Sequence, residues 1–200
     1  MVKKLSIGVI GIQGAVEEHI QSMKQVFEKT NTPGEVFPIK HKEEIKKIDG
    51  LIIPGGESTT ISRILFQKEL HKEIKKRVKN DNLPIMGTCA GCVILAKKIN
   101  DDNHDVKLLG LMDIEVTRNA FGRQKESFEQ TIQIQGFKEL YNAVFIRAPV
   151  IEKTKNNCKI LSKIDNKIIM ARQDNILALS FHPELTDDLR IHQYFLNLIF

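Results

Sequence analysis

The sequence predicts an α/β fold with a mostly parallel central sheet and additional antiparallel strands, and three features of its patterning predict it. Short apolar runs at Leu5 to Ile10, Gly50 to Ile53 and Pro84 to Met86 stop at glycine or at Pro-Gly, and apolar residues at helical spacing follow them, which is how buried strands of βα units read. The third run turns sharply at Gly87-Thr-Cys-Ala-Gly91, so that Cys89 sits between a strand and a helix. Beyond Lys98 the texture changes to short strand-like runs separated by turn residues.

Composition bounds the rest. Two hundred residues with 42% hydrophobic content suffice for one domain, 1–200, with a substantial core. The net charge of +5 comes from 23 Lys and 7 Arg interleaved with 25 acidic residues. That describes a solvated basic surface, and no nucleic-acid recognition motif accompanies it. The first residues run directly into a strand with too short an apolar stretch for a signal peptide or a membrane span, so a cytoplasmic protein with no membrane partner is expected. Three cysteines, two of them three residues apart, are no secreted disulfide framework.

In chain order, Leu5 to Ile10 is a strand, and Gly14 precedes a helix with Val16, Ile20, Met23 and Phe27 on one face. Gly8, Gly11 and Gly14 miss the G-x-G-x-x-G spacing, and no Walker lysine is present, which argues against nucleotide binding. Glu35 to Ile39 is a second strand, Lys42 to Ile48 a short charged helix and Gly50 to Ile53 a third strand. Pro54-Gly-Gly-Glu-Ser58 leads into a helix carrying Ile61, Ile64 and Leu65, with Ser58 in place to cap it. Leu70 to Lys79 is a lysine-rich helix, followed by the strand, the Cys89 turn and a helix with Ala90, Val93, Ile94 and Ala96 at helical spacing, in a stretch that ends at Lys97. After a polar loop from Asn100 to Asp105, strands are expected at Ile114 to Thr117, Phe128 to Ile134, Ala143 to Arg147, Cys158 to Ile164, Lys167 to Arg172 and Ile176 to Phe181, with a hairpin turn at Asp165-Asn166. Thr186 is expected to cap a last helix striped by Ile191, Tyr194, Phe195 and Leu198.

Chemistry concentrates at a few places. Gly87-x-Cys89-x-Gly91 has the form of a nucleophile elbow, in which glycines relieve crowding around an exposed side chain at a helix N-terminus. A thiolate is favoured there, and the Ala90 amide, with that of Gly56 as a second donor across the sheet edge, could hold an oxyanion. Cys89 and Cys92 also form C-x-x-C, which allows thiol redox chemistry, and a plain buried cysteine is a third reading. Phe181-His-Pro-Glu184 separates them. Pro183 favours an extended backbone at His182, so His182 and Glu184 project to one side, and with Cys89 they supply nucleophile, base and orienter. Arg118, Arg123 and Arg147, scarce residues gathered in loops, suit a carboxylate or pair with local acids. His19, His41, His71, His104 and His192 lack such company, and no grouping has metal-ligand spacing.

Several segments together carry a resemblance: Ile7-Gly-Val-Ile-Gly-Ile-Gln-Gly-Ala-Val16, Pro54-Gly-Gly-Glu-Ser-Thr-Thr60, Gly87-Thr-Cys-Ala-Gly91, Arg118-Asn-Ala-Phe-Gly-Arg-Gln124, Phe145-Ile-Arg-Ala-Pro149 and Ser180-Phe-His-Pro-Glu-Leu-Thr-Asp187. Across nearly the whole chain the sequence resembles the glutaminase subunits of pyridoxal 5'-phosphate synthase, within the class I, triad-type glutamine amidotransferases. It departs from their pattern at Cys92, where an aliphatic residue is expected, and at Ala120, where Ser is expected. The resemblance implies a flavodoxin-like three-layer sandwich and hydrolysis of L-glutamine to glutamate and ammonia by Cys89, His182 and Glu184. It also implies an oxyanion hole at Gly56 and Ala90, and glutamine contacts from Gly56, Glu57, Ser58, Arg118, Ile146 and Arg147. No cofactor or metal is implied. The implied partner is the synthase subunit, a (β/α)8 barrel that builds the vitamin B6 coenzyme with this ammonia. The competing expectations are a C-x-x-C thiol oxidoreductase and a non-enzymatic stress or interaction protein on the same scaffold.

Overall fold

The structure is a computed structural model that describes residues 4–100, 105–121 and 127–200. It opens with strand β1 (Leu5–Ile10), helix α1 (Val16–Lys29), β2 (Gly34–Ile39), α2 (Lys42–Ile45), β3 (Gly50–Ile53), α3 (Ser58–Gln67), α4 (Leu70–Asp81), β4 (Ile85–Thr88) and α5 (Ala90–Leu95). The second half contains β5 (Ala96–Ile99), β6 (Met112–Thr117), β7 (Ser127–Ile132), β8 (Tyr141–Ile146), β9 (Val150–Thr154), β10 (Lys159–Ile164), β11 (Lys167–Gln173), β12 (Ile176–Leu179) and α6 (Arg190–Leu196).

The main sheet runs in the order β2-β1-β3-β4-β12-β11-β9-β6-β5, with β10 added to β11, while β7 and β8 form a separate antiparallel hairpin. Pairing is parallel from β2 through β12 and antiparallel from β12 to β11 and on to β9 and β6. Alternation along the strands divides the core into two layers. Leu51 and Ile53 of β3, Ile85 of β4 and Ala178 of β12 join Ile61, Leu65 and Ile74 of α3 and α4 on one face. Ile52, Met86, Leu177 and Leu179 of the same strands join Ile20, Met23, Ile191 and Phe195 of α1 and α6 on the other. Each fully buried Leu, Ile, Met or Phe side chain among them contributes about 1.5–3 kcal/mol of burial free energy. The result is a sheet covered on both sides, the three-layer arrangement expected of it.

The helices that follow β1 and β3 lie on opposite faces of the sheet, and the order in which strands are added reverses between these two parallel strands. In an open α/β sheet the crevice beyond the strand ends at such a reversal is where ligands bind. The loops after β1, β3, β4 and β12 all leave from that edge.

Some expectations are corrected. The helix after Cys89 stops at Leu95, and Ala96–Ile99 is strand β5, because Ala96 pairs with Met112 and Ile99 with Val116. That pairing overrides the helical preference of Ala-Lys-Lys. Val150–Thr154, which begins one residue after Pro149, is strand β9 between β6 and β11. Ser58 is the first residue inside α3, and Glu57 occupies the cap position without a side-chain cap bond. Thr186 lies four residues before α6, where Asp188 Oδ1 accepts from the Arg190 amide. β12 ends at Leu179, two residues short of the expected Phe181, and His182, at φ −109° and ψ 88°, precedes the 3-10 turn Pro183–Leu185 that carries Glu184. The Asp165-Asn166 hairpin turn is present, with Ile164 opposite Lys167 and Asp165 at a φ of 50°. His104, Arg123, Gln124 and most of the Asn100 to Asp105 loop lie outside the described residues.

Candidate active site

The elbow is built by close approach. Gly87 packs so tightly on the helix that a Cβ there would lie 2.7 Å from the Gly91 backbone, and one on Gly91 would lie 2.1 Å from the Ile53 carbonyl oxygen. Only hydrogen fits at both positions, which lets α5 start directly above β3 and β4. Cys89 takes the bend itself at φ 47° and ψ −102°, and its amide donates to Leu179 O at 2.8 Å. A non-glycine residue held there stores about 1–3 kcal/mol of strain. Asn119 at φ 50° and Arg147 at φ 41° are held in the same region and, with Cys89, line one cavity. Strained backbone that gathers around one hollow points to a site rather than to loose loops.

The cavity measures ≈ 230 Å³ and is lined by Gly56, Glu57, Ser58, Cys89, Ala90, Arg118, Ile146, Arg147 and His182. Every residue expected to touch the substrate or the oxyanion is therefore at one place. Glu184 stands behind His182, its Oε1 2.7 Å from His182 Nδ1. Gln13, Val93, Asn119 and Pro149 also line the cavity, and sequence reasoning singled out none of them. Gln13 follows β1 at the sheet reversal, a position that the strand-end rule could have flagged.

The wall carrying the glycine pair is anchored from two sides. Ala15 N donates to Gly55 O at 3.2 Å, and Glu57 N donates to Gln13 Oε1 at 2.9 Å. Because a trans peptide points its carbonyl and its next amide in opposite directions, the Gly56 N–H faces away from the Ala15 amide. Gly55 itself separates the two reactive side chains, since a Cβ there would sit 2.4 Å from His182 Cε1 and 3.3 Å from Cys89 Cβ. Across the cavity, Arg118 Nη1 donates to Ser58 Oγ at 3.3 Å, and Ala120 N to Ala148 O at 3.1 Å ties the two arginine loops together.

The charges are arranged for proton transfer. Burial works against a charged His182, but hydrogen bonding to Cys89 and Glu184 and the charges of both raise its pKa to about 10. Burial likewise opposes the Glu184 carboxylate, yet His19 and His182 together hold it below the ordinary range. His182 Nδ1 is engaged by Glu184, so Nε2 is the atom turned to the Cys89 thiol or a substrate. The Cys89 thiol donates to Ile146 O at 3.7 Å. Cys92 is fully buried in the aliphatic core, where burial first and then the neighbouring sulfurs push its thiol far up. A buried, protonated thiol is a poor redox partner for Cys89.

One expectation about the other histidines is overturned. His19 Nε2 lies 3.3 Å from Glu184 Oε2, and His192 Nε2 lies 3.0 Å from His19 Nδ1, so two histidines read as isolated stand directly behind the triad. Among the described residues no group of His, Cys, Asp and Glu could hold a metal, and no helix is long and apolar enough to cross a membrane.

Comparison with known proteins points the same way. The chain is 49% identical over 198 residues to the pyridoxal 5'-phosphate synthase subunit PdxT of Methanococcoides burtonii, which covers 98% of this chain and 100% of that protein. It is 45% identical over 196 residues to the PdxT subunit of Pyrococcus horikoshii, covering 98% and 100%. A crystal structure of a glutamine amidotransferase superposes with a TM-score of 0.86 at 38% identity, covering 96% of this chain and 98% of that one. A glutamine amidotransferase from Thermotoga maritima, 12% identical with a TM-score of 0.63 over 98% of this chain and 93% of its own, shares the fold. The family model of the SNO glutamine amidotransferases matches residues 9–200, and with it the chain belongs to the SNO glutamine amidotransferase family.

Proposed function

We propose that this chain is the glutaminase subunit of a pyridoxal 5'-phosphate synthase, hydrolysing L-glutamine to L-glutamate and ammonia at the Cys89 cavity. The observation that carries the reading is that a strained elbow cysteine and a histidine backed by a buried carboxylate open onto one hollow with two arginines. Glutamine enters with its α-carboxylate at Arg118 or Arg147, whose guanidinium fork suits two oxygens, and its carboxamide over Cys89. Gly56, Glu57, Ser58 and Ile146 shape the remaining wall.

Each step of the reaction then falls to a named group. The Cys89 proton passes to His182 Nε2, and the thiolate attacks the carboxamide carbon. A C–S bond forms as the C=O electrons move onto oxygen, where the amides of Gly56 and Ala90 stabilise the charge. His182 Nε2–H protonates the nitrogen, the C–N bond breaks and ammonia leaves, with a γ-glutamyl thioester remaining on Cys89. The same nitrogen then takes a proton from water, hydroxide adds to the thioester, and the sulfur departs as thiolate with glutamate released. Glu184 keeps Nδ1 protonated throughout, so Nε2 is the nitrogen that gains and loses the proton.

Ammonia released into water at neutral pH is protonated and loses its nucleophilicity, so it must pass directly to a partner. That partner is the synthase subunit, a (β/α)8 barrel that uses the nitrogen to build pyridoxal 5'-phosphate, and its docking reorients the Gly55-Gly56 peptide to complete the oxyanion hole. The test is ammonia release from glutamine by the purified chain with and without the synthase subunit. Release that rises strongly with the synthase agrees with the reading. Equal rates in both would rule out activation through the glycine pair, and no release in either would remove the glutaminase assignment.

A further inference from the structure

The side of the triad turned away from the cavity is made of two histidines for which the reaction above has no use. His19 on α1 and His192 on α6 are both 0% exposed, far from the surface where a histidine usually sits. His19 Nε2 lies 3.1 Å from Thr88 Oγ1 and 3.3 Å from Glu184 Oε2, while its Nδ1 lies 3.0 Å from His192 Nε2. Thr88 immediately precedes the nucleophile. Glu184 Oε2 has no hydrogen-bond partner among the described residues, and His19 is the ring placed against it.

Donor and acceptor counting fixes where the protons are. Burial keeps His19 uncharged against the opposing pull of Glu184, and burial with the neighbouring His19 takes His192 down to about 3, so each ring carries one proton. A bare His19 Nε2 would set its lone pair against the carboxylate oxygen in a dry interior, so that nitrogen carries the hydrogen. Its Nδ1 is then an acceptor and receives the His192 Nε2–H. This leaves His192 Nδ1 bare, an atom with no hydrogen-bond partner among the described residues. The titratable groups around this chain are Glu184 and His182 from the 3-10 turn and its flank, His192 from α6 and Glu18 on α1 itself. The order runs from His192 through His19 to Glu184 and His182, and with these tautomers the nitrogens of His19 and His182 nearest the carboxylate both carry hydrogen. Reversing the His19–His192 link would strip His19 Nε2 of its hydrogen and set its lone pair against Glu184 Oε2.

We propose that His19 is a positioning residue of this site: it holds the second oxygen of Glu184, with Thr88 and His192 fixing its ring and tautomer, so that the carboxylate stays locked on His182 Nδ1 and Nε2 faces Cys89. The inference rests on the glutaminase reading and deepens it. His19 touches neither substrate nor thiol. It acts through the carboxylate, and the single link it supplies is a hydrogen bond or close dipole contact of ordinary strength, which corresponds to about a tenfold change in rate.

The test compares His19→Leu, which removes the ring nitrogens, with His19→Gln, which returns an N–H near the position of Nε2. Both are assayed as the full chain with the synthase subunit. Two readouts are taken: kcat and KM for ammonia release, and the pH midpoint for alkylation of Cys89 by iodoacetamide, which needs no glutamine. His19→Leu is expected to lower kcat about tenfold with KM unchanged and to move the alkylation midpoint upward, because a loosened Glu184 stabilises the His182 imidazolium less. His19→Gln is expected to recover most of both changes. A wild-type kcat and midpoint in His19→Leu overturn the proposal. So does an equal loss in both variants with the midpoint unmoved, which is how a purely structural role reads. Should His19→Leu not fold, His192→Leu removes the donor to His19 Nδ1 and keeps the ring. It is expected to shift the midpoint in the same direction, and a wild-type midpoint there also overturns the proposal. If the wild-type protein releases no ammonia at all, the glutaminase reading fails, and the alkylation comparison still decides the role of His19.

Discussion

Acid is the perturbation to which this site is most exposed, and its cost can be worked out from His192. The imidazole is fully buried beside His19, and its pKa falls from the ordinary 6.5 to about 3. A group whose folded pKa is depressed contributes stability that is whole above the unfolded pKa and drains as pH falls towards the folded one. Between pH 6.5 and about pH 4.5 that is two units at about 1.36 kcal/mol each, or about 2.7 kcal/mol from His192. His19, also held uncharged by burial, pushes in the same direction. Against a typical domain stability of about 5–15 kcal/mol, this loss is large and begins before most carboxylates titrate. His182 has the opposite sign. Its raised pKa makes its contribution complete below pH 6.5 and lost as pH climbs towards about 10, so stability should fall on both sides of neutrality. The assay is urea unfolding followed by far-UV circular dichroism at neutral pH and at about pH 4.5, for the wild type and for His192→Gln, which removes the titration and retains an N–H for His19. The wild type should lose about 2–3 kcal/mol more than the variant over this interval. Parallel losses in the two proteins would refute the reasoning.

Two further substitutions probe the elbow and its neighbour. Gly91→Ala places a Cβ 2.1 Å from Ile53 O, a backbone atom that cannot rotate away, so α5 must shift. Stability should drop by about 1–3 kcal/mol and ammonia release by more than the fold loss alone explains, measured by unfolding and by steady-state kinetics. Cys92→Ala, deep in the aliphatic core, should keep glutamine hydrolysis while costing about 1 kcal/mol of packing, and loss of activity at full folding would revive a thiol redox role.

Much of this architecture is legible in the sequence because buried parallel strands read as uninterrupted apolar runs. Leu5–Ile10 and Gly50–Ile53 are bounded as their patterns predict, and the elbow announces itself through two glycines that no side chain could replace. What resists reading is decided by partners far along the chain. Ala96-Lys-Lys-Ile99 has helix-forming residues and becomes a strand only because Met112 to Val116 lies beside it. Ser58 and Thr186 have cap chemistry but sit one residue inside and four residues before their helices. At the site, the link between His182 and Glu184 is visible in their spacing, although the 3-10 turn that carries Glu184 is not. His19 is missed because polarity suggests an outward position. Its spacing says otherwise, since it stands three residues after Val16 and four before Met23, on the apolar face of α1. A histidine inside an apolar stripe is the signal that could have found it.

The most direct test of the mechanism is whether glutamine becomes covalently attached to Cys89. Turnover with carbon-labelled glutamine in the presence of the synthase subunit, quenched in acid and mapped by peptide mass spectrometry, should place a glutamyl group on the peptide bearing Cys89 and none in Cys89→Ala. Ammonia release from a wild-type protein that never carries the label, or label that persists in Cys89→Ala, would contradict a thioester at this sulfur.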